Sequence, residues 1–197
     1  MNKIEQGCKR SVDFVIAACC LVVFSPLALA CALAIRKEDG LPVIYKQERI
    51  GLHGKPFYIY KFRSMRIDAE KDGPDLLEIK GDPRLTKVGR FLRAHHLDEL
   101  PQLWNVFKGD MAFIGPRPER KFYIDQIMEH DSRYQFLYQI RPGVTSYATL
   151  YNGYTDTMEK MLLRLELDLY YLEHRSWWFD AKILLKTFCN IAFGKKF

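Results

Sequence analysis

The sequence predicts an α/β protein of irregular type, mostly helical with a small β-hairpin, in which a helix-break-helix apolar segment precedes one compact domain. Three observations carry this. Phe14 to Ile35 is almost entirely apolar but is interrupted by Ser25-Pro26. Two β-rich runs, VIYKQER and PFYIYKF, flank a turn built on Gly51 and Gly54. Apolar stripes at helical spacing then recur from Leu100 to Phe107, from Met161 to Leu172 and after Ser176, with no Gly-rich dinucleotide fingerprint or P-loop.

At about 1.5 Å per residue the first run is long enough to cross the hydrocarbon core of a bilayer. Pro26 removes a helical hydrogen bond and disfavours helical geometry at Ser25, so a sharp bend is expected there. Lys3, Lys9 and Arg10 precede the run and Arg36 and Lys37 follow it. The positive-inside rule places both flanks on the cytoplasmic side, so the segment enters and leaves by one face. A straight spanning helix is the rival, because prolines do occur in spans. A signal peptide fits less well, since the run exceeds a usual h-region and no small-residue cleavage site precedes Arg36. A buried core helix would ask a small domain to hide a very long apolar element. Residues 1–36 are therefore read as a reentrant anchor broken at Ser25 and Pro26, and residues 37–197 as a cytosolic domain with a single core.

In the hairpin, strand alternation puts Lys61 and Arg63 on one cationic face, although charged edge strands are commonly just solvated. The following stretch from Arg66 to Arg84 is polar and rich in Gly, Pro and Asp, and reads as a mobile surface loop, either a connector or a cover for a ligand.

The most informative segment is LDELPQLWNVFKGDMAFIGPRP, from Leu97 to Pro118. Asp98 is a favoured N-cap, and Pro101 is tolerable only in a first turn, so a helix is expected to start at Asp98 and to end near Gly109. Orphan N–H groups and the macrodipole at that start would keep Asp98 and Glu99 ionised and allow a phosphate beside them. Arg93, Arg117 between two prolines, or a divalent metal would then offset the carboxylate charge. The plainer alternative is that DELP caps a structural helix and GPRP is a turn. His95 and His96 precede the acids, but adjacent helical side chains diverge and share no ligand face. Asp168 lies on an apolar stripe with Met161, Leu165 and Leu172 and needs a partner, for which Arg164 stands one turn earlier. Ser176 can cap a last helix that begins with Trp177, Trp178 and Phe179 and closes with Phe193, Lys195, Lys196 and Phe197, suited to a membrane interface or to core packing.

A net charge of +6 suits anionic headgroups and nucleotide phosphates. The basic residues are interspersed with acids and no nucleic-acid motif is present, which argues against a nucleic-acid partner. The five cysteines have neither disulfide-framework nor zinc spacing and read as reduced apolar residues.

KRSVDFVIA with the later FSP, YKFRSM, VGRFLRAHHLDELPQLWNVFKGDMAFIGPRP, RPG from Arg141 and LELDLYY form an ordered series across nearly the whole chain. The series resembles the small monotopic phosphoglycosyl transferases of bacteria, the bacterial sugar transferase family. The resemblance implies a phosphotransferase on the cytoplasmic face of the bacterial inner membrane, acting with a UDP-sugar, polyprenyl (undecaprenyl) phosphate and Mg2+. An aspartate would attack the β-phosphate, release UMP and pass the phosphosugar to the lipid, the first membrane step of glycoconjugate synthesis, ahead of downstream glycosyltransferases. It implies Asp98 as nucleophile, Glu99 as its acidic partner and Mg2+ held by both. Lys61, Arg63, Arg93, Arg117, Arg141 and Asp168 would bind substrate and phosphate. After RPG the frequent ITGWAQV is replaced by VTSYATL, giving Ser146, Tyr147 and Thr149 where the pattern has Gly, Trp and Gln, a change that bears on substrate selection. Two other readings are a membrane-tethered basic binding module without catalysis and a glycosyltransferase that releases UDP.

Overall fold

The computed structural model describes residues 3–69, 82–153 and 155–192. Most of the polar loop after Arg66 and the residues closing the last helix lie outside the described residues.

Helices α1 (Lys3–Val23) and α2 (Ser25–Asp39) meet at a 59° bend. Pro26 occupies the first turn of α2, where its missing N–H has no partner to lose, and the Ser25 hydroxyl donates to the Val22 carbonyl at 2.8 Å. Among the described residues no single helix is long and apolar enough to cross a membrane, but the bent pair together has the length and composition to do so. One side of the pair belongs to the domain: Ala17 packs with Ile59, Val106 and Met111, and Cys31 and Ile35 pack with Phe62 and Leu92. The other side leaves Val15, Val22, Val23, Leu29 and Leu33 more than half exposed.

Strands β1 (Ile44–Ile50) and β2 (Pro56–Phe62) form the expected antiparallel hairpin, with Tyr45 opposite Lys61 and Gln47 opposite Ile59. Helix α3 (Lys87–Ala94) is capped twice. Thr86 accepts from the Gly89 N–H at 2.8 Å, and the Glu38 carboxylate at the end of α2 accepts from the Lys87 and Val88 N–H groups, each at 2.7 Å.

The helix expected to begin at Asp98 does not. Leu97–Glu99 is a separate 3-10 turn, and α4 (Gln102–Lys108) starts after Pro101. The Leu97 carbonyl accepts from the Leu100 N–H at 3.2 Å, a three-residue step that closes the segment in 3-10 geometry, and Pro101 stands just ahead of α4, where its missing N–H has no partner to lose. Gly109 ends α4 in the left-handed conformation, φ 94°, as its position suggested.

Strand β3 (Ala112–Ile114) pairs in parallel with β4 (Gly143–Thr145), a second small sheet that the sequence reading did not anticipate. Between them lie α5 (Lys121–His130) and a 3-10 run over Ser132–Gln139. After β4 come α6 (Thr149–Asn152), α7 (Met158–His174) and α8 (Trp177–Ala192). Ser176 caps α8 by accepting from the Phe179 N–H at 3.2 Å. The main core joins Tyr123, Ile124 and Ile127 of α5 to Tyr134, Leu137, Met161, Leu165 and Leu169. Trp178, Leu185 and Phe188 on α8 are about two-thirds exposed or more. The five cysteines form no disulfide. Ser146 is buried in a hydrogen-bonded turn with Thr149, and Tyr147 packs its ring on Tyr151, Tyr170 and Phe179. The departures after RPG thus lie at the junction of α6, α7 and α8.

A Cβ on Gly89 would stand 1.9 Å from the Ser64 carbonyl oxygen, which only a glycine allows. Gly89→Ala is expected to push α3 off the hairpin and to destabilise the protein by about 1–3 kcal/mol, read as a lowered thermal unfolding midpoint.

Candidate functional site

The 3-10 turn carries Asp98 and Glu99 and sets Glu99 against Lys61 and Arg117, which with Arg49, Ile59 and Gln102 line a crevice beside it. Lys61 comes from β2 on the face shared with Ile59, and its ammonium donates to Glu99 Oε1 at 2.7 Å. Arg117 comes from the GPRP strap after β3, and its guanidinium stands 3.6 Å from the same oxygen. Its side chain keeps 37% of its exposure. Arg93 of α3 donates to the Ser64 hydroxyl at 2.9 Å, and its charge bears on Asp98.

These surroundings split the two acids. Burial pushes Glu99 upward, but Lys61 and Arg117 more than offset it and hold the carboxyl down to about 2. Burial raises Asp98 above its usual value, against the pull of Lys61 and with a further push from the Glu99 charge. The field at the pair therefore comes from burial and from the basic side chains of Lys61, Arg93, Arg117 and His96.

Two buried carboxylates fix the strap that carries Arg117. Glu119 accepts from Arg49 Nη1 at 3.2 Å and from Arg164 of α7, while the same Arg49 nitrogen donates to the Pro118 carbonyl at 3.0 Å. The Arg117 backbone N–H donates to Asp168, which is 2% exposed. Arg164, expected to pair with Asp168, makes its ion pair with Glu119 and acts on Asp168 only through its charge. Burial pushes Asp168 up to about 7, and its Oδ1 has no hydrogen-bond partner among the described residues.

Two basic residues expected here lie elsewhere. Arg63 sits just beyond β2 and donates to the Asp39 and Gly40 carbonyls at 2.8 and 3.0 Å, closing the C-terminal end of α2. Arg141 donates through Nε to the Gly109 carbonyl at 2.9 Å, at the opposite end of α4 from the acidic pair. Both were drawn off by helix C-terminal carbonyls, which attract guanidinium groups. Conversely, Arg49, Gln102 and Glu119 were missed. Arg49 alternates with Tyr45 and Gln47 on the strand face that meets Lys61, and that alternation was the available signal. Among the described residues no group of three or more His, Cys, Asp or Glu side chains could hold a metal.

The description of bacterial sugar transferase matches residues 4–194. A UDP-N-acetylgalactosamine-undecaprenyl-phosphate N-acetylgalactosaminephosphotransferase of Aeromonas hydrophila is 39% identical over 94% of this chain and 44% of its own length. A UDP-glucose:undecaprenyl-phosphate glucose-1-phosphate transferase of Escherichia coli is 42% identical over 95% of this chain and 40% of its own. The protein of the same description from Caulobacter vibrioides is 44% identical over 91% of this chain and 67% of its own. The chain thus spans about two fifths of the length of the first two relatives.

Because Asp168 titrates higher in the folded state than in the unfolded chain, its contribution to stability is full below the ordinary carboxylate range and is lost as pH rises through about 7. Asp168→Asn is therefore expected to raise the unfolding midpoint relative to wild type at pH 8, with the gain vanishing near pH 4, in thermal melts across that range.

Proposed function

Because the chain belongs to the bacterial sugar transferase family, we propose that it transfers a phosphosugar from a UDP-sugar to undecaprenyl or a related polyprenyl phosphate, by way of a covalent intermediate on Asp98. The observation that carries this reading is the split acidic pair: a desolvated carboxylate at Asp98 beside one at Glu99 that binds two cations. A carboxylate removed from water is a better nucleophile, and it needs no base to activate it.

Asp98 attacks the β-phosphorus of the UDP-sugar. The bond from that phosphorus to the bridging oxygen breaks, and UMP leaves with the electron pair. The aspartyl phosphosugar is an acyl phosphate, and a phosphate oxygen of the polyprenyl phosphate then displaces Asp98 to give the polyprenyl-diphosphate-sugar. Lys61, Arg93 and Arg117 stabilise charge on the non-bridging oxygens. Glu99 holds Lys61 and Arg117 at that position, and Asp168 with Glu119 holds the Arg117 backbone. Mg2+ takes one or two carboxylates together with water and substrate phosphates, a requirement that Asp98 and Glu99 fit; bound there it would supply further neutralisation of phosphate charge.

The bent pair, apolar on its outer side and basic at both flanks, suits a monotopic seat on the cytoplasmic face of the inner membrane, with the aromatic face of α8 at the lipid interface. In a cysteine-free background, cysteines engineered at positions 2 and 38 should both resist labelling from the periplasm. Labelling of only one would establish a span.

The chemistry is tested by mass spectrometry of the protein incubated with a panel of UDP-sugars and Mg2+ without lipid acceptor, beside Asp98→Asn. A phosphosugar adduct on Asp98 with free UMP, both lost in the variant, is the expected result. Release of UDP, or no adduct and no UMP from a folded protein across the panel, would overturn the reading.

A further inference from the structure

A second basic cavity lies apart from the acidic pair. It has a volume of about 270 Å³ and shares no lining residue with the crevice of Lys61 and Arg117. Lys9, Arg10 and Asp13 of α1, His53 of the hairpin turn, Arg141 before β4 and Arg175 after α7 are among the residues that line it. It adjoins the C-terminal end of α4, whereas Asp98 precedes the N-terminal end. Seven helical residues at about 1.5 Å each put roughly 10 Å between those ends.

The hydrogen-bonding inventory of this cavity is unbalanced. Arg10 donates to the Val106 and Phe107 carbonyls at 2.6 and 2.8 Å, and Lys9 pairs with Asp180. Arg141 uses only Nε, on the Gly109 carbonyl, so its two terminal nitrogens have no partner among the described residues. The guanidinium of Arg175, half-buried, has no hydrogen-bond or ion-pair partner among them either. Against four basic side chains the lining offers one carboxylate, Asp13, which already accepts from the Phe113 N–H. Burial, and then the neighbouring charge of Arg10, push the Arg141 guanidinium downward, the mark of crowded and incompletely compensated cations.

We propose that this cavity binds an oxyanion of the phosphate class, held by the free edges of Arg141 and Arg175 with Lys9 beside them. Guanidinium forks match the geometry of phosphate oxygens, and the volume exceeds that of a bare phosphate, which leaves room for a substituent on a phosphomonoester or phosphodiester. The site is independent of the transfer chemistry proposed above and stands whether or not that reading holds.

The test is calorimetric titration of inorganic phosphate into the full chain in maltoside micelles, comparing wild type with Arg175→Gln, Arg175→Lys and Arg117→Gln. The expected result is a binding event that Arg175→Gln weakens about tenfold, that Arg175→Lys partly restores and that Arg117→Gln leaves in place. UDP-sugar turnover should persist in Arg175→Gln. Adding phosphatidylglycerol to the micelles separates the sources: suppression of the phosphate isotherm identifies a lipid headgroup as the occupant, and an unchanged isotherm identifies a soluble phosphate. Identical isotherms for wild type and folded Arg175→Gln, with or without lipid, would overturn the proposal.

Discussion

Glu119 is 7% exposed, and its carboxylate is shared between guanidiniums from β1 and α7. A charge so far from water is tolerable only when it is paired and hydrogen-bonded, so the hairpin, the GPRP strap and α7 must converge before any of them is stable there. The convergence has a by-product. Ile50 of β1 donates its N–H to the Glu119 carbonyl at 3.1 Å, Arg49 holds the Pro118 carbonyl, and Asp168 holds the Arg117 N–H. The strap is thus fixed through its backbone on both sides of Arg117, and that side chain faces Glu99. Removing one partner from such a buried set typically costs about 3–5 kcal/mol, far more than the pair itself contributes, which is why the arrangement enforces geometry more than it adds stability.

Neighbouring carboxylates with different surroundings can divide their duties, and Asp98 and Glu99 do so. Glu99 faces the two cations that converge on the crevice and keeps its charge; Asp98, one residue earlier, is 7% exposed and is acted on by Lys61 and Arg93 through their charge. The left-handed residue His96, φ 54°, separates the turn from α3 and sets which acid points where. Without that break a continuous helix would splay the two carboxylates by about 100° of rotation.

Signals carried by one or two adjacent residues were legible in the sequence. Pro26 gave the bend, Gly109 the end of α4, Ser176 the start of α8, and the alternation around Gly51 and Gly54 the hairpin with Lys61 on its face. The start of α4 was misread because Asp98 and Pro101 each fit a helix N-terminus, while the short bond from Leu100 to the Leu97 carbonyl that makes a separate 3-10 turn carries no residue signature of its own. Arg63 and Arg141 were misplaced for a different reason: strand alternation and motif order fix where a Cα stands, and an arginine reaches well beyond that toward the nearest free carbonyls. β3 and β4 have three residues each, too few to show a period, and the pairing of Glu119 with Arg164 spans 45 positions that no local pattern connects.

The Glu38 carboxylate closes on the first two amides of α3 while Arg63 closes the last turn of α2, so the apolar pair and the helix that bears Arg93 are joined end to end without slack. Because these bonds tie the end of α2 to the start of α3, a tilt of α2 would carry with it the helix that bears Arg93, whose charge acts on Asp98.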